Sequence, residues 1–232
     1  MNNLLLIVEI LFCFTALLVS KRLFGKTGVF IWIALASVLA NVVQGKNAEL
    51  LFMYAGIGHV LFSSSFLATD ILNECYSQED ARKGVFVGLF ANIVYLIAMI
   101  IAMAYHSSPI DTMGEHMNAM FGLNIRITLS SMFWFLVSNF GDVWLYNKIK
   151  TLTGGKYMWL RNNVSTIFFN CAENFGFAFF AFGGIYKPAQ ILSIAIASTA
   201  IEVIVGVCDT PFLYIAKRGS LCTNGSELAA QS

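Results

Sequence analysis

Charge is what this sequence is short of. Asp, Glu, Lys and Arg make up 12% of its 232 residues, against about 25% in a soluble globular domain. A soluble chain of this length has enough residues to bury a sizeable core, but it still needs a polar coat, and these charges cannot supply one. With 58% hydrophobic residues, part of the surface must be covered by lipid. Charge of one sign is also scarce. The formal net charge is +1, and no basic run marks a nucleic-acid surface.

Other absences narrow the function. Cys13, Cys75, Cys171, Cys208 and Cys222 are odd in number and scattered, with no C-x-x-C pair. They imply neither a disulfide framework nor a zinc site and read as small apolar filler. There is no H-E-x-x-H, no G-x-S-x-G and no P-loop. His59, His106 and His116 lack metal-ligand spacing. The expectation is a protein that is not an enzyme and that holds no cofactor and no metal.

What the chain does contain is long apolar segments. A helix needs about 20 residues to cross the hydrocarbon. Seven segments qualify as candidates: Asn3–Val19, Gly28–Val43, Leu50–Thr69, Gly84–Tyr105, Ile127–Tyr146, Val164–Gly183 and Ala189–Ile215. The second is short, and the last carries Glu202, Asp209 and Pro211, which predicts a bend or break. Six spans plus a re-entrant piece is the alternative count. The N-terminus opens neutral and places Lys21 and Arg22 after its apolar run, the reverse of a cleaved signal peptide. It reads as a retained first helix.

The loop charges orient these spans. Lys21, Arg22, Lys26, Arg82, Lys83, Lys148, Lys150, Lys156, Arg161, Lys217 and Arg218 all fall on one side of a seven-span topology. Only Lys46, Arg126 and Lys187 of the 14 basic residues fall on the other. The positive-inside rule then puts the N-terminus outside and the C-terminus in the cytoplasm. The loop 106–125, with His106, Asp111, Glu115 and His116, lies outside as solvated chain. Residues 1–218 form the membrane domain, and the polar tail 219–232 reads as disordered or as an expression remnant. The expected fold is an all-α polytopic bundle of six to seven transmembrane helices.

Polar residues inside the spans carry the functional signal. An ionisable side chain at mid-bilayer costs about 2.5–3.5 kcal/mol on insertion scales and usually faces a bundle interior or cavity. Asp70 and Glu74 are four apart and share a helix face. Arg82 and Lys83 follow, so a hydrated, self-neutralising helix end is the plain alternative. In the sixth span Asn163, Thr166, Asn170, Glu173, Asn174 and Phe177 are spaced by three and four, one polar stripe on an otherwise apolar helix. Such a stripe lines a cavity or makes interhelical hydrogen bonds, but a buried carboxylate at Glu173 needs a partner or a ligand. Ser131, Phe135, Ser138 and Asp142 share a face of the fifth span. Glu202 and Asp209, seven apart, share one on the last, with Arg82 or Arg161 as ion-pair candidates. Glu9 is isolated, facing either the bundle or the outer surface.

Two of these regions carry a family pattern. The segment FLATDILNECYSQEDAR, through Leu67, Thr69, Asp70, Glu74, Tyr76, Ala81 and Arg82, resembles the hallmark of the queuosine precursor transporters, also called the vitamin uptake transporter-like family. Asp142, Arg161, Asn162, Ser165, Thr166, Phe177 and Phe180 match its second region in order. The resemblance runs from about Ser63 to Tyr214. Ser77 stands where glycine is usual, which predicts a looser turn. Ala172, Glu173 and Asn174 replace the S-D-T or I-D-T of many members, and Glu202 stands where many carry a lysine.

The resemblance implies uptake of 7-deazaguanine compounds (the 7-cyano and 7-aminomethyl forms, or queuine) across a bacterial cytoplasmic membrane for tRNA queuosine. A carboxylate can accept two adjacent N–H donors of a guanine-like edge, a role that falls to Glu173. Asn170 and Asn174 would orient it or bond the carbonyl edge, and Phe177 would stack on the ring. Thr166, Asn163, Asp70, Glu74 and Asp142 complete the candidate substrate site, and Arg82, Arg161 and Glu202 are the ion-pair or coupling candidates. The partners expected are this small base, membrane lipid and a second copy of the chain, with no nucleic acid. The alternative is a related vitamin or nucleobase carrier, including a substrate-binding subunit energised by a separate ATPase module.

Overall fold

A computed structural model describes residues 1–43, 46–50, 53–121 and 125–218. In chain order it contains α1 (Asn2–Val43), the strands β1 (Asn47–Leu50) and β2 (Met53–Gly56), α2 (His59–Cys75), α3 (Gln78–Ala104), α4 (Gly114–Phe121), α5 (Ile125–Leu152), α6 (Met158–Phe182) and α7 (Pro188–Arg218). Among the described residues the regular structure is helical apart from one small antiparallel ribbon pairing Asn47 with Gly56 and Leu50 with Met53.

The first two expected segments form the two arms of α1. Gly25 breaks the helix between them with φ 59° and ψ −137°, a positive-φ conformation open essentially to glycine. The break reverses the chain. Ser20 Oγ donates to the Gly28 carbonyl at 2.9 Å, although eight residues of straight helix would separate them by about 12 Å. Asn2 Nδ2 likewise reaches the Glu49 carbonyl at 3.1 Å, so α1 leaves one end of the bundle and returns to it.

The third expected segment starts later and ends later than its hydropathy implied. Residues 53–56 are strand, and helix begins only at His59, after Gly56 and Gly58. Each glycine costs a helix about 1 kcal/mol, so the helix starts beyond both. At its other end α2 runs past Thr69 to Cys75. Ser77 then caps α3 instead of loosening the turn. Its hydroxyl accepts from the Asp80 backbone N–H at 3.0 Å, a helix N-cap, and donates to Asp80 Oδ2 at 2.8 Å. Burial alone would push the Asp80 carboxyl up, but the Ser77 hydroxyl and Lys26 outweigh it and hold the group below its ordinary value.

The helices divide by environment. Among the described residues, α1, α3 and α7 are long and apolar enough to cross a membrane. α3 leaves Phe86, Phe90, Ile97 and Ile101 exposed, a surface suited to lipid. α2 is the opposite: every residue from Phe66 to Leu72 is fully buried. It packs against α1, α3, α5 and α7, so whatever polar groups it carries are internal. Glu9, left open by the sequence, is half-buried on α1 with His59 acting on it. α7 continues as one helix through Pro211, where a bend or break was expected. The loop expected at 106–125 contains α4, started by Asp111 Oδ1, which accepts from Met113 and Gly114 N–H at 2.8 and 3.1 Å. His106 and His116 are exposed there.

α5 and α6 lie close because each offers the other a glycine. A Cβ at Gly141 would overlap Phe169, and one at Gly176 would overlap Trp134. Small residues that admit a neighbouring ring are a common packing device in membranes. Replacing Gly176 by leucine is expected to separate this pair and cost at least about 1–3 kcal/mol. The check is a lowered unfolding midpoint in detergent, with aggregation on size exclusion.

Cys13, Cys171 and Cys208 are free thiols, as the filler reading requires. Cys75 departs from it, being disulfide-bonded. Cys222 and the rest of the tail 219–232 lie outside the described residues.

Candidate functional site

At one end of the bundle the basic loops converge on one carboxylate. Glu74, at the C-terminal end of α2, accepts from Arg161 Nη2 of α6 at 2.7 Å and from Tyr146 OH of α5 at 3.2 Å. It pairs with Lys150 of α5 at 3.2 Å and with Lys217 of α7. Arg161 is fully buried although it opens α6. Its Nη1 donates to the carbonyls of Gly155 and Lys156 at 3.0 and 3.2 Å, and its guanidinium lies 5.4 Å from the Tyr146 ring centre. Lys21 belongs to the same end. It is fully buried and donates to the Ala216 carbonyl at 2.9 Å.

This arrangement corrects the self-neutralising helix end read from Arg82 and Lys83. Arg82 is exposed, and Lys83 pairs with Glu79 at 2.9 Å one turn away on its own helix. Glu74 is held instead by cations that come from other helices. It is therefore a tie between α2, α5, α6 and α7, and Arg161, not Arg82, is its buried partner.

One turn above Glu74 lies a level of aspartates. Asp70 of α2 and Asp142 of α5 are fully buried, and Asp209 of α7 is 1% exposed. Asp142 and Asp209 both act electrostatically on Asp70. α6 supplies the neutral donors. Asn162 Nδ2 reaches Asp209 Oδ1 at 2.6 Å, and Thr166 Oγ1 reaches Asp142 Oδ1 at 3.3 Å. Both Asp70 oxygens, Asp142 Oδ2, Asp209 Oδ2 and Asn162 Oδ1 have no hydrogen-bond partner. Asp209 thus pairs with an amide and not with the arginine proposed for it. Asn163 has turned out of the stripe, bonding Thr210 Oγ1 at 2.7 Å and the Trp159 carbonyl at 2.8 Å.

Further along α6 is a second polar level. Glu202 of α7, 3% exposed, is gripped on both oxygens. His59 Nδ1 lies 2.7 Å from Oε1, and Asn174 Nδ2 donates to Oε2 at 2.5 Å. Glu202 is therefore held by a histidine from α2 and an asparagine from α6, and not by Arg82 or Arg161. Glu173 is 9% exposed and faces Glu202, with the Ser138 hydroxyl of α5 beside it. Its Oε2, both amide atoms of the fully buried Asn170, and His59 Nε2 are buried without partners. An unpaired buried polar atom costs about 1–3 kcal/mol. The three on Glu173 and Asn170, one helical turn apart, are what a site for a polar ligand requires. Phe177 does not join them. It is half-buried and packs edge-on against Phe182, 6.0 Å between ring centres.

The stripe predicted on α6 is thus real, but its members divide. Asn170 and Glu173 keep free polar atoms, Asn174 positions Glu202, and Thr166 serves the aspartate level. Sequence reasoning missed His59 and undervalued Asn162. Asn162 differs from Asn163 by one position, or 100° of helix, and only packing against α7 decides between them. A pocket between α1, α2, α3 and α5 is lined by Ser37, Asn41, Asn92, Ser131, Phe62 and Phe135. Asn41 Nδ2 there bonds Asn92 Oδ1 at 2.6 Å.

Apolar helices with exposed hydrophobic flanks around a line of buried carboxylates, amides and a histidine define a class: a multi-pass membrane protein that handles a polar solute. The chain belongs to the family described as "Putative vitamin uptake transporter", whose model matches residues 56–216. It is 32% identical over 218 residues, 94% of this chain and 95% of the relative, to a protein of Bacillus subtilis named "Probable queuosine precursor transporter". A Haemophilus influenzae protein of the same name is 29% identical over 126 residues, 54% of this chain and 51% of the relative. No solved structure matches the chain. Both relatives are named as transporters.

Proposed function

We propose that this protein imports 7-deazaguanine precursors of queuosine across a bacterial cytoplasmic membrane. In this reading it crosses seven times, with α1 contributing two crossings and the C-terminus in the cytoplasm. The observation that carries the reading is the unpartnered Oε2 of Glu173 beside the unpartnered amide of Asn170, both deep in the bundle. A guanine-like edge offers two adjacent N–H donors to a carboxylate and a carbonyl oxygen to an amide donor. Glu173 and Asn170 supply that pair of partners one helical turn apart.

Asn174 acts in this reading through Glu202, holding it in place and not touching the base. The names of the two relatives support the substrate class. The break of α1 at Gly25, and the convergence of the predicted cytoplasmic loops on Glu74, support the topology. A homodimer is compatible with the exposed apolar faces of α1 and α3.

The test is Glu173→Gln in proteoliposomes. Glutamine keeps the size but replaces one acceptor oxygen by a donor, which opposes a substrate N–H. Uptake of labelled 7-cyano-7-deazaguanine is expected to fall at least about 100-fold, the cost of turning a charged acceptor against a donor. Unchanged uptake would remove Glu173 from the site.

A further inference from the structure

We propose that import by this protein is coupled to protons, and that the buried His59–Glu202 pair is the group that takes up and releases the coupling proton. The proposal rests on the substrate reading above and adds an energy source to it. His59 stands at the start of α2, 7% exposed, with Nδ1 2.7 Å from Glu202 Oε1. Asn174 donates to the other oxygen, so Oε2 is an acceptor and the proton shared by the pair lies between Oε1 and Nδ1. In the proposal the imidazole donates from Nδ1 to the Glu202 carboxylate. Nε2 is left as a buried lone pair with no partner, which is where one more proton can bind.

The surroundings of the pair are acidic. Glu9 faces His59 from α1, with Cys13 beside Glu9. Glu173 faces Glu202 from α6, with Ser138 of α5 against it. Ser63, one turn along α2, has an unpartnered hydroxyl. Among the described residues, no lysine or arginine pairs with Glu9, Glu173 or Glu202. The pairs involving cationic side chains join Glu74, Asp80 and Glu79 at the opposite end. Three carboxylates thus share one titratable base, and uncompensated charge in a low-dielectric interior is costly. Imidazole changes charge closest to physiological pH, so it is the group suited to the task.

Coupling follows from the geometry. A proton from the outer water binds Nε2 and cancels the net charge of the His59–Glu202 pair. Glu173 can then stay ionised beside Glu202 and accept the two N–H donors of the base. Release of the proton to the inner water restores the repulsion between Glu202 and Glu173, and the base leaves. By linkage, each ligand strengthens binding of the other.

The experiment measures binding of 7-cyano-7-deazaguanine to the full chain in detergent at about pH 6 and about pH 8, spanning imidazole titration, together with uptake into proteoliposomes. The wild type is expected to bind about tenfold more tightly at the lower pH, a typical coupling factor, and to accumulate base only under an inside-alkaline gradient. His59→Asn keeps a donor for Glu202 but cannot titrate. It should bind with a flat pH profile and exchange base without accumulating it. Glu202→Gln should also flatten the profile, so the test does not depend on one variant folding. If both variants bind with the wild-type pH dependence, or if accumulation follows a sodium gradient instead, the proposal fails while the substrate reading stands. If the wild type binds no base at either pH, both fail.

Discussion

Replacing Glu74 by alanine is expected to destabilise the protein by about 3–5 kcal/mol, the cost of leaving one member of a buried ion pair alone. The expected readout is a much lower unfolding midpoint in detergent and little folded protein in the membrane fraction. Glu74 has a side chain only 3% exposed, and Arg161 is completely buried against it at 2.7 Å. Without the carboxylate, Arg161 keeps only its two backbone carbonyls and the Tyr146 ring. Lys150 and Lys217 are 34% and 47% exposed and can turn to water, so they add little to the loss. Arg161 has no such route. The pair also has a diagnostic double variant. Changing Glu74 and Arg161 together to methionine should recover most of the stability, because similar-sized apolar residues often match a buried pair. If the double variant is as unstable as the single one, the loss comes from the shape of the helix junction and not from the stranded charge.

Asp70→Asn is expected to do the opposite to stability and to impair uptake. Asp70 is fully buried, both its oxygens lack partners, and Asp142 and Asp209 act on it. Asparagine has nearly the same shape, carries no charge and brings two N–H donors. Asp142 Oδ2 and Asp209 Oδ2 are unpartnered acceptors in the same level. Relief of repulsion and satisfaction of even one acceptor is worth about 1–3 kcal/mol. The unfolding midpoint should rise by several degrees, about 2–4 °C per kcal/mol for a chain of this size. Uptake should fall at least about tenfold, because ionisable residues inside membrane spans commonly mark solute pathways. A lowered midpoint would mean that Asp70 holds the fold together, and unchanged uptake would remove it from the transport machinery.

The two predictions differ because partner choice differs, and partner choice is what the sequence conceals. The polar stripe of α6 was legible because a helix repeats every 3.6 residues, which puts Asn170, Glu173 and Asn174 on one face whatever surrounds them. The reversal near Gly25 was legible as Lys21, Arg22 and Lys26 between two apolar runs. Interhelical register was not. Whether Arg161 meets Glu74, Glu202 or Asp209 depends on how far α6 slides against α2 and α7, and no local pattern encodes that distance. His59 was passed over because a single histidine before an apolar run carries no spacing signal. Its meaning comes from Glu202, 143 positions away in sequence and 2.7 Å away in space. The strand Met53–Gly56 fell inside the span expected from Leu50 because its hydropathy suits one. The glycines at 56 and 58 decided otherwise.

The central claim is that the buried polar line of α6 carries a queuosine precursor into the cell. It is tested most directly in bacteria that can neither make nor import queuosine precursors, expressing this chain and supplied with each precursor in turn. The account predicts that queuosine reappears in tRNA with 7-cyano-7-deazaguanine or its close relatives, and that Glu173→Gln, expressed at the same level, does not restore it. Absence of tRNA queuosine with every precursor, from a chain shown to reach the membrane, would contradict it.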